Sequence, residues 1–509
     1  MNGKVKLITL ILIGLLVLFI VFIGKRNNEE DGKEDTNTYS QTENVYFWYS
    51  DESFSNFYTQ AAVAFNEINP DIRVIPKLIS GDEYLETINK ASIDKEEFPD
   101  AYVVSNDALE KAYLSGLASE VSKTTRVVNT EHFSQAAIDA VTYDHKIVGY
   151  PLYFETSILV YNKTYLKDWL SKVKEEGKEK EEQAGGNVDL SDESGDSEYT
   201  YSAYDYRTVA LDDLIPKTIE DIKNFANSYE APDGVDGVFK WDVSDIFFNY
   251  FFVGDYMIVG GPSGDDSSNI DIYNENTKNC MKAYQELNQF FSIDATTSNY
   301  NSMIEEFVDG KFVFSIATSD IIRKLETALE ERAVEKEELD KAYEEKKLEV
   351  DSKIASGELS AEDGEIALKK YEDALIDMYE FDYARIPQLS LELNSRSLSV
   401  TNCIVINGYS ERREAANRFA AFVSTQYAEN IYQRTGKIAA STDAGYEDEA
   451  LLLFQEEYAN SIPIPKIVEA SNFWVQLEVA FTQIWKGEDI DSYLKKLSEQ
   501  ILSQISTDE

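Results

Sequence analysis

Apolar and polar positions follow a strand-then-helix rhythm through the first part of the chain. Val45-Tyr46-Phe47-Trp48-Tyr49 is a continuous apolar run and reads as a buried strand, followed by the polar break Ser50-Asp51-Glu52 and an amphipathic helix from Phe57 to Asn69. Arg73 to Leu78 predicts a second strand, Tyr84 to Ser92 a second helix and Asp100 to Val104 a third strand. Alternation of this kind predicts an α/β fold with a parallel sheet flanked by helices. Ligands of such sheets bind beyond the C-terminal strand ends, where Asp51, Glu52, Ser105, Asn106 and Asp107 fall.

A second pattern runs from Ile147 to Lys163. Gly149 permits a turn and Pro151 keeps Tyr150 extended, so Leu152 to Val160 is expected to continue as a strand. Glu155 stands inside this apolar run, beside Tyr153 and Phe154. Two readings are open: a solvated acid at a strand end, or a carboxylate that accepts hydrogen bonds from a ligand whose apolar faces the rings cover.

Two segments interrupt the rhythm. Residues 172–206 begin as a charged helix and pass into Ala184-Gly185-Gly186 and an acidic, tyrosine-dotted stretch, read as a mobile, disordered surface insertion. Residues 321–379 are dominated by Glu, Lys, Ala and Leu, with a break at Ser356-Gly357-Glu358-Leu359-Ser360; Ser360 and Asp363 form a capping-box pattern. An inserted antiparallel helical hairpin is expected there, either a solvated decoration or a docking arm for a partner protein. Gly260-Gly261-Pro262-Ser263-Gly264 lacks the lysine-serine ending of a phosphate-cradling loop and reads as a surface turn.

The N-terminus changes the picture most. Leu7 to Ile23 is apolar apart from Thr9 and Gly14, flanked by Lys4 and Lys6 before it and Lys25-Arg26 after it. Seventeen residues of helix span roughly 26 Å, enough for a thin bilayer core. The junction lacks a small-x-small cleavage pattern, so residues 1–26 are expected to be an uncleaved transmembrane anchor, followed by an acidic linker at 27–43. A formal net charge of -47 makes nucleic acid a poor partner. Cys280 and Cys403, the only cysteines, read as buried free thiols, and two histidines, His132 and His145, make a histidine metal site improbable. No cofactor is implied.

Six runs in order resemble one family, the extracellular solute-binding proteins of ABC transporters in the maltose-binding-protein-like group. They are Trp48-Tyr49-Ser50-Asp51; Pro99 to Asp107 with Leu114 to Leu117; Gly149 to Lys163; Pro216-Lys217-Thr218-Ile219; Phe307 to Phe314; and Ser399 to Ile406 with the helix Glu414 to Ser424. Pro463 to Lys466 and Asn472-Phe473-Trp474 resemble its late loop and aromatic helix.

The resemblance implies a two-lobed periplasmic-binding-protein-like fold of type II, closing over a solute by hinge motion. On that map lobe one is 44–153 with 401–440, and lobe two is 154–400 with 441–505, carrying both insertions. It also implies that Asp51 and Asp107 accept from hydroxyls, that Glu155 sits at the hinge and that Trp474 is a stacking platform. The aromatic run Trp241 to Phe252 is expected to line the lobe-two wall, with Trp241 and Tyr250 as candidate contacts and core packing as the other reading. Departures argue against maltodextrin itself: Glu52 replaces a lysine, Val104 replaces a tryptophan, and a second tryptophan is replaced within Ala317-Thr318-Ser319-Asp320.

The implied activity is capture of a small solute, of carbohydrate type, and its delivery to an ABC permease by a protein tethered at the extracellular face of the cell membrane. A surface sensor or scaffold that keeps the fold is the alternative. A glycosidase using Glu155 and Asp107 as paired carboxylates is a third, without a nucleophile motif or metal ligands to support it.

Overall fold

The computed structural model describes residues 42–81, 83–94, 97–183, 205–295, 299–467 and 472–505. The expected anchor at 1–26, the linker as far as residue 41, and the acidic stretch 184–204 lie outside the described residues, within which no helix is long and apolar enough to cross a membrane.

Among the described residues, ten strands join in one hydrogen-bonded sheet. They are β1 (Glu43–Tyr49), β2 (Ile72–Leu78), β3 (Ala101–Ser105), β4 (Tyr150–Asn162), β5 (Gly237–Phe239), β6 (Phe312–Thr318), β7 (Phe381–Ala384), β8 (Leu398–Ile406), β9 (Ile438–Ala439) and β10 (Ile462–Pro463). The main order is β2-β1-β3-β8-β4-β6-β5. β1 runs parallel to β2 and β3, as the strand-helix alternation requires of consecutive units. β8 returns antiparallel between β3 and β4.

β4 is the element that organises the molecule. Its first half pairs with β8 and β9 through residues as far as Thr156, and its second half pairs with β6 and β7 from Ser157 onward. Thirteen residues of strand reach roughly 43 Å, so one continuous backbone serves two groups of partners. Twelve of its residues are buried; Glu155, one residue before Thr156, is the exception.

The helices used below are α1 (Ser55–Ile68), α2 (Tyr84–Asp94), α3 (Lys163–Gln183), α4 (Ile219–Ser228), α5 (Glu275–Phe291), α6 (Tyr300–Val308), α7 (Ile321–Ser356), α8 (Ala361–Glu372), α9 (Arg413–Ser424), α10 (Asn430–Thr435), α11 (Glu449–Asn460), α12 (Phe473–Trp485) and α13 (Ile490–Ile505). α1 lays Phe57, Tyr58, Ala61 and Phe65 on the sheet at helical spacing; Phe47 meets Tyr58 and Phe419 edge-on at 4.8 and 5.2 Å. α11 packs beneath the β4 crossing, where Phe154 stacks on Tyr458 at 3.9 Å.

At three places the structure adds to or revises the sequence expectation. The charged helix expected at the start of the insertion, from residue 172, is the second half of α3, which runs unbroken from Lys163 to Gln183 on strong helix formers. α7 and α8 are consecutive helices joined at Gly357, which caps α7 at φ 77°, and they touch where Gly364 lies against Val350 and Ile354. The glycine-rich turn at 260–264 is a seat for another segment: Gly264 lies against Pro465 and its carbonyl accepts from the Lys466 backbone N–H at 2.7 Å. The Lys466 ammonium is buried there, donating to the carbonyls of Asp139 and Ser263, and burial holds its pKa down to about 8.

Candidate functional site

The strand ends and the β4 crossing bring charged groups from four places together. Asp51 follows β1, where the apolar run stops; its carboxylate accepts from the Ser53 backbone N–H at 2.9 Å and hydroxyl at 2.7 Å, capping a short helical turn. Glu155 points away from α11, because alternate residues of a strand face opposite sides and Phe154 takes the α11 side. Lys437 follows Gly436, which ends α10 at φ 75°, and its ammonium reaches Glu155 Oε1 at 2.5 Å. Asp320 stands between the end of β6 and the start of α7.

Lys437 is the centre of this group. Burial works against its charge, but Glu155 in contact, with Asp51 and Asp320 adding through space, outweighs burial and holds the pKa above the usual lysine range. Side-chain exposure is 25% for Lys437 and 36% for Glu155, so the pair remains open on one side. Tyr153, two residues before Glu155, stacks on Phe54 at 4.7 Å; burial raises its hydroxyl pKa, with the charges of Asp51 and Glu155 adding to the effect.

Asp320 is braced from the other side. Burial opposes its charge, but Lys324 at 2.7 Å, the Thr318 hydroxyl at 2.5 Å and the Tyr300 hydroxyl at 2.7 Å keep its pKa below the ordinary value. One helical turn into α7, Arg323 donates to the carbonyls of Gln433 and Tyr432 at 3.2 and 3.4 Å, at the C-terminal end of α10. Carboxylates from three elements therefore act on one ammonium, and a phenol and a hydroxyl donate to the Asp320 carboxylate. That arrangement suits a neutral ligand carrying many hydroxyls, each able to donate to one neighbour and accept from another.

The expected site residues divide. Asp51 and Glu155 meet in the cluster around Lys437. Asp107 lies past the end of β3, exposed and hydrogen-bonded to the Ser105 hydroxyl, on the same sheet edge as Asp51 because β1 and β3 are parallel neighbours. Trp474 opens α12, partly exposed, with its ring 5.6 Å from that of Tyr250. Trp241 and Tyr250 are corrected from cleft wall to core. Trp241 is fully buried against Phe239 and Trp485, its indole N–H donating to Asn249 at 2.9 Å, and the Tyr250 hydroxyl is turned inward to the Met257 carbonyl at 3.3 Å.

Sequence reasoning missed Lys437, Tyr300 and Asp320. A lysine after a helix-ending glycine carries no local signal, and Tyr300 lies in an ordinary amphipathic helix. Asp320 was legible in principle, as an acid between a buried strand and a long helix. Among the described residues no group of His, Cys, Asp and Glu is placed to hold a metal ion. Both cysteines are buried and free, and burial pushes the Cys280 thiol up to about 12.

With this geometry in place, comparisons with known proteins are specific. A family model described as bacterial extracellular solute-binding protein matches residues 60–451. A search of curated proteins finds no match. Among solved structures, the extracellular solute-binding protein from Staphylococcus aureus in complex with maltose is similar, with a TM-score of 0.63 at 16% identity, covering 93% of this chain and 99% of that one. The maltose-binding periplasmic protein from Listeria monocytogenes in complex with maltose gives 0.60 at 17% identity, covering 92% and 99%. A cyclo/maltodextrin-binding protein complexed with maltotetraose gives 0.61 at 15%, covering 94% and 99%. Likeness at these identities establishes the two-lobed solute-binding fold, in which β4 pairs with both groups of strands. The family is one of binding proteins, and the expected family resemblance holds over most of the chain: this protein belongs to the bacterial extracellular solute-binding protein family.

Proposed function

We propose that this protein captures a small, neutral, polyhydroxylated solute of carbohydrate type between its lobes and delivers it to an ABC permease, held at the extracellular face of the membrane by Leu7 to Ile23. The observation that carries this reading is Lys437, with carboxylates from three separate elements acting on it beside the β4 crossing. Asp51 and Asp320 are supplied by the two different strand groups that β4 joins, so closure of one group on the other brings the donors and acceptors round a bound molecule. Asp107 extends the row along the sheet edge, and Trp474 offers a ring face from α12.

The solved neighbours bind maltose or maltotetraose, which supports a sugar. Val104 and the turn Ala317-Thr318-Ser319-Asp320 stand where the resemblance places stacking tryptophans. Recognition here therefore leans on polar contacts, which favours a smaller or more polar sugar over a maltodextrin. A thermal-shift screen with neutral mono- and disaccharides, polyols, uronic acids, polyamines and peptides tests the reading. A rise in melting temperature confined to neutral sugars or polyols is expected; a response only to peptides or polyamines would remove the carbohydrate clause.

A further inference from the structure

At the base of the long helix α7, a groove lies open between it and α6, with a cavity of about 890 Å³. Ile304 and Val308 of α6, both almost wholly buried, and the partly exposed Ala328 of α7 form its apolar floor. The cations along it are already engaged. Arg323 holds the carbonyls of Tyr432 and Gln433, Lys324 holds Asp320 and donates to Asn301 at 3.0 Å, and Arg332 pairs with Asp309 and donates to the Asp377 carbonyl at 2.7 Å. Three carboxylates are left: Glu305, Glu331 and Glu335 are exposed, line the same groove and have no ion-pair partner among the described residues.

We propose that this groove docks a basic segment of a partner protein that lays an apolar face against Ile304, Val308 and Ala328 and its cations against Glu305, Glu331 and Glu335. Charge decides the partner's chemistry. An acidic segment would add repulsion to three unpaired carboxylates on a chain of net charge -47. A purely apolar one would strip water from those carboxylates without replacing it. Lys324 to Glu335 spans roughly 16 Å of α7, about three turns of a partner helix packed alongside. Arg323 and Lys324 line the groove while their head groups hold α10 and Asp320, so the docking surface shares two residues with the solute site but needs nothing of the solute's identity.

The test is a fluorescence-anisotropy titration of the whole protein with a labelled 14-residue amphipathic peptide of leucine and lysine, and with the same residues scrambled round the helix. The amphipathic peptide is expected to bind about tenfold more tightly than the scrambled one. Glu305→Lys/Glu331→Lys/Glu335→Lys should weaken it at least about tenfold, and Thr327→Trp, which fills the groove from an exposed position without changing charge, by a similar factor. Glu337→Lys/Glu344→Lys/Glu365→Lys makes the same charge change elsewhere on the two helices and should weaken it by no more than about twofold. Equal losses in the two triple variants, indifference to Thr327→Trp, or equal binding of both peptides would each overturn the proposal, because each describes a diffuse attraction to a negative surface.

Discussion

Glu155 and Glu457 lie on opposite sides of β4 near its crossing, and the protein treats them in opposite ways. Glu155 is partly open to solvent, meets an ammonium and shares its neighbourhood with two more acids. Glu457, on α11, is buried and hydrogen-bonded to neutral groups, with Arg385 acting on it only through space: the Ser397 hydroxyl donates to it at 3.1 Å, and that hydroxyl in turn accepts from Thr156 at 3.0 Å. Burial pushes the Glu457 carboxyl up to about 7. Beside it Ser461 bonds Ser399 at 2.7 Å and Thr401 bonds Tyr458 at 2.7 Å, tying α11 to the strand that runs next to β4. One side of the strand offers charge to whatever enters, and the other satisfies its polar groups internally and holds the crossing in place. On the proposed function, solute binding and stability are thus separated by the two-residue period of a single strand.

Substitutions on the two sides should separate the same way. The largest effect is expected from Phe154→Ala, which removes a fully buried ring stacked on Tyr458 and should cost about 3 to 5 kcal/mol in urea unfolding. A cost below 1 kcal/mol would mean the crossing is not anchored through α11.

Glu457 should come next, and only at the right pH. Its folded-state pKa is raised from 4.5 to about 7, so the native protein binds the proton more tightly than the unfolded chain. That contribution is fully present below pH 4.5 and is lost as pH rises through 7, at most about 3 kcal/mol. Glu457→Gln should therefore be more stable than the parent at pH 8 and lack its decline between pH 4.5 and 7 in melting experiments; parallel pH profiles would show the carboxyl to be ordinary.

The smallest stability effect belongs to the open side. Lys437→Met removes an ion pair open to solvent on one side and should change stability by less than about 1 kcal/mol, while abolishing the melting shift produced by the best solute of the screen. A large loss of stability with an intact solute response would move Lys437 to a structural role.

The strand-helix alternation up to Val104 was plain in the apolar runs because β3 is buried as a block from Ala101 to Val104 and β1 over its second half, while β2 buries only Ile72 and Val74. Glu155 was legible for the complementary reason, as a charge in a strand whose other positions are apolar or small. Trp241 and Tyr250 misled because an aromatic run has the same appearance in a core and in a cleft; only the inward hydrogen bonds to Asn249 and Met257 distinguish them. Lys437 was invisible because its meaning comes from contact with Glu155 across 282 residues of chain. Local pattern reports burial and element type, whereas a charge cluster assembled by tertiary contacts leaves no periodic trace.

The central claim is that the acid and ammonium beside the β4 crossing hold the solute. Titration calorimetry of the parent and Glu155→Ala with the sugar giving the largest melting shift tests it most directly. We expect affinity to fall by about thirtyfold or more, roughly 2 kcal/mol, with the melting temperature of the free protein nearly unchanged. Unchanged affinity, or a loss of affinity matched by an equal loss of stability, would contradict the account.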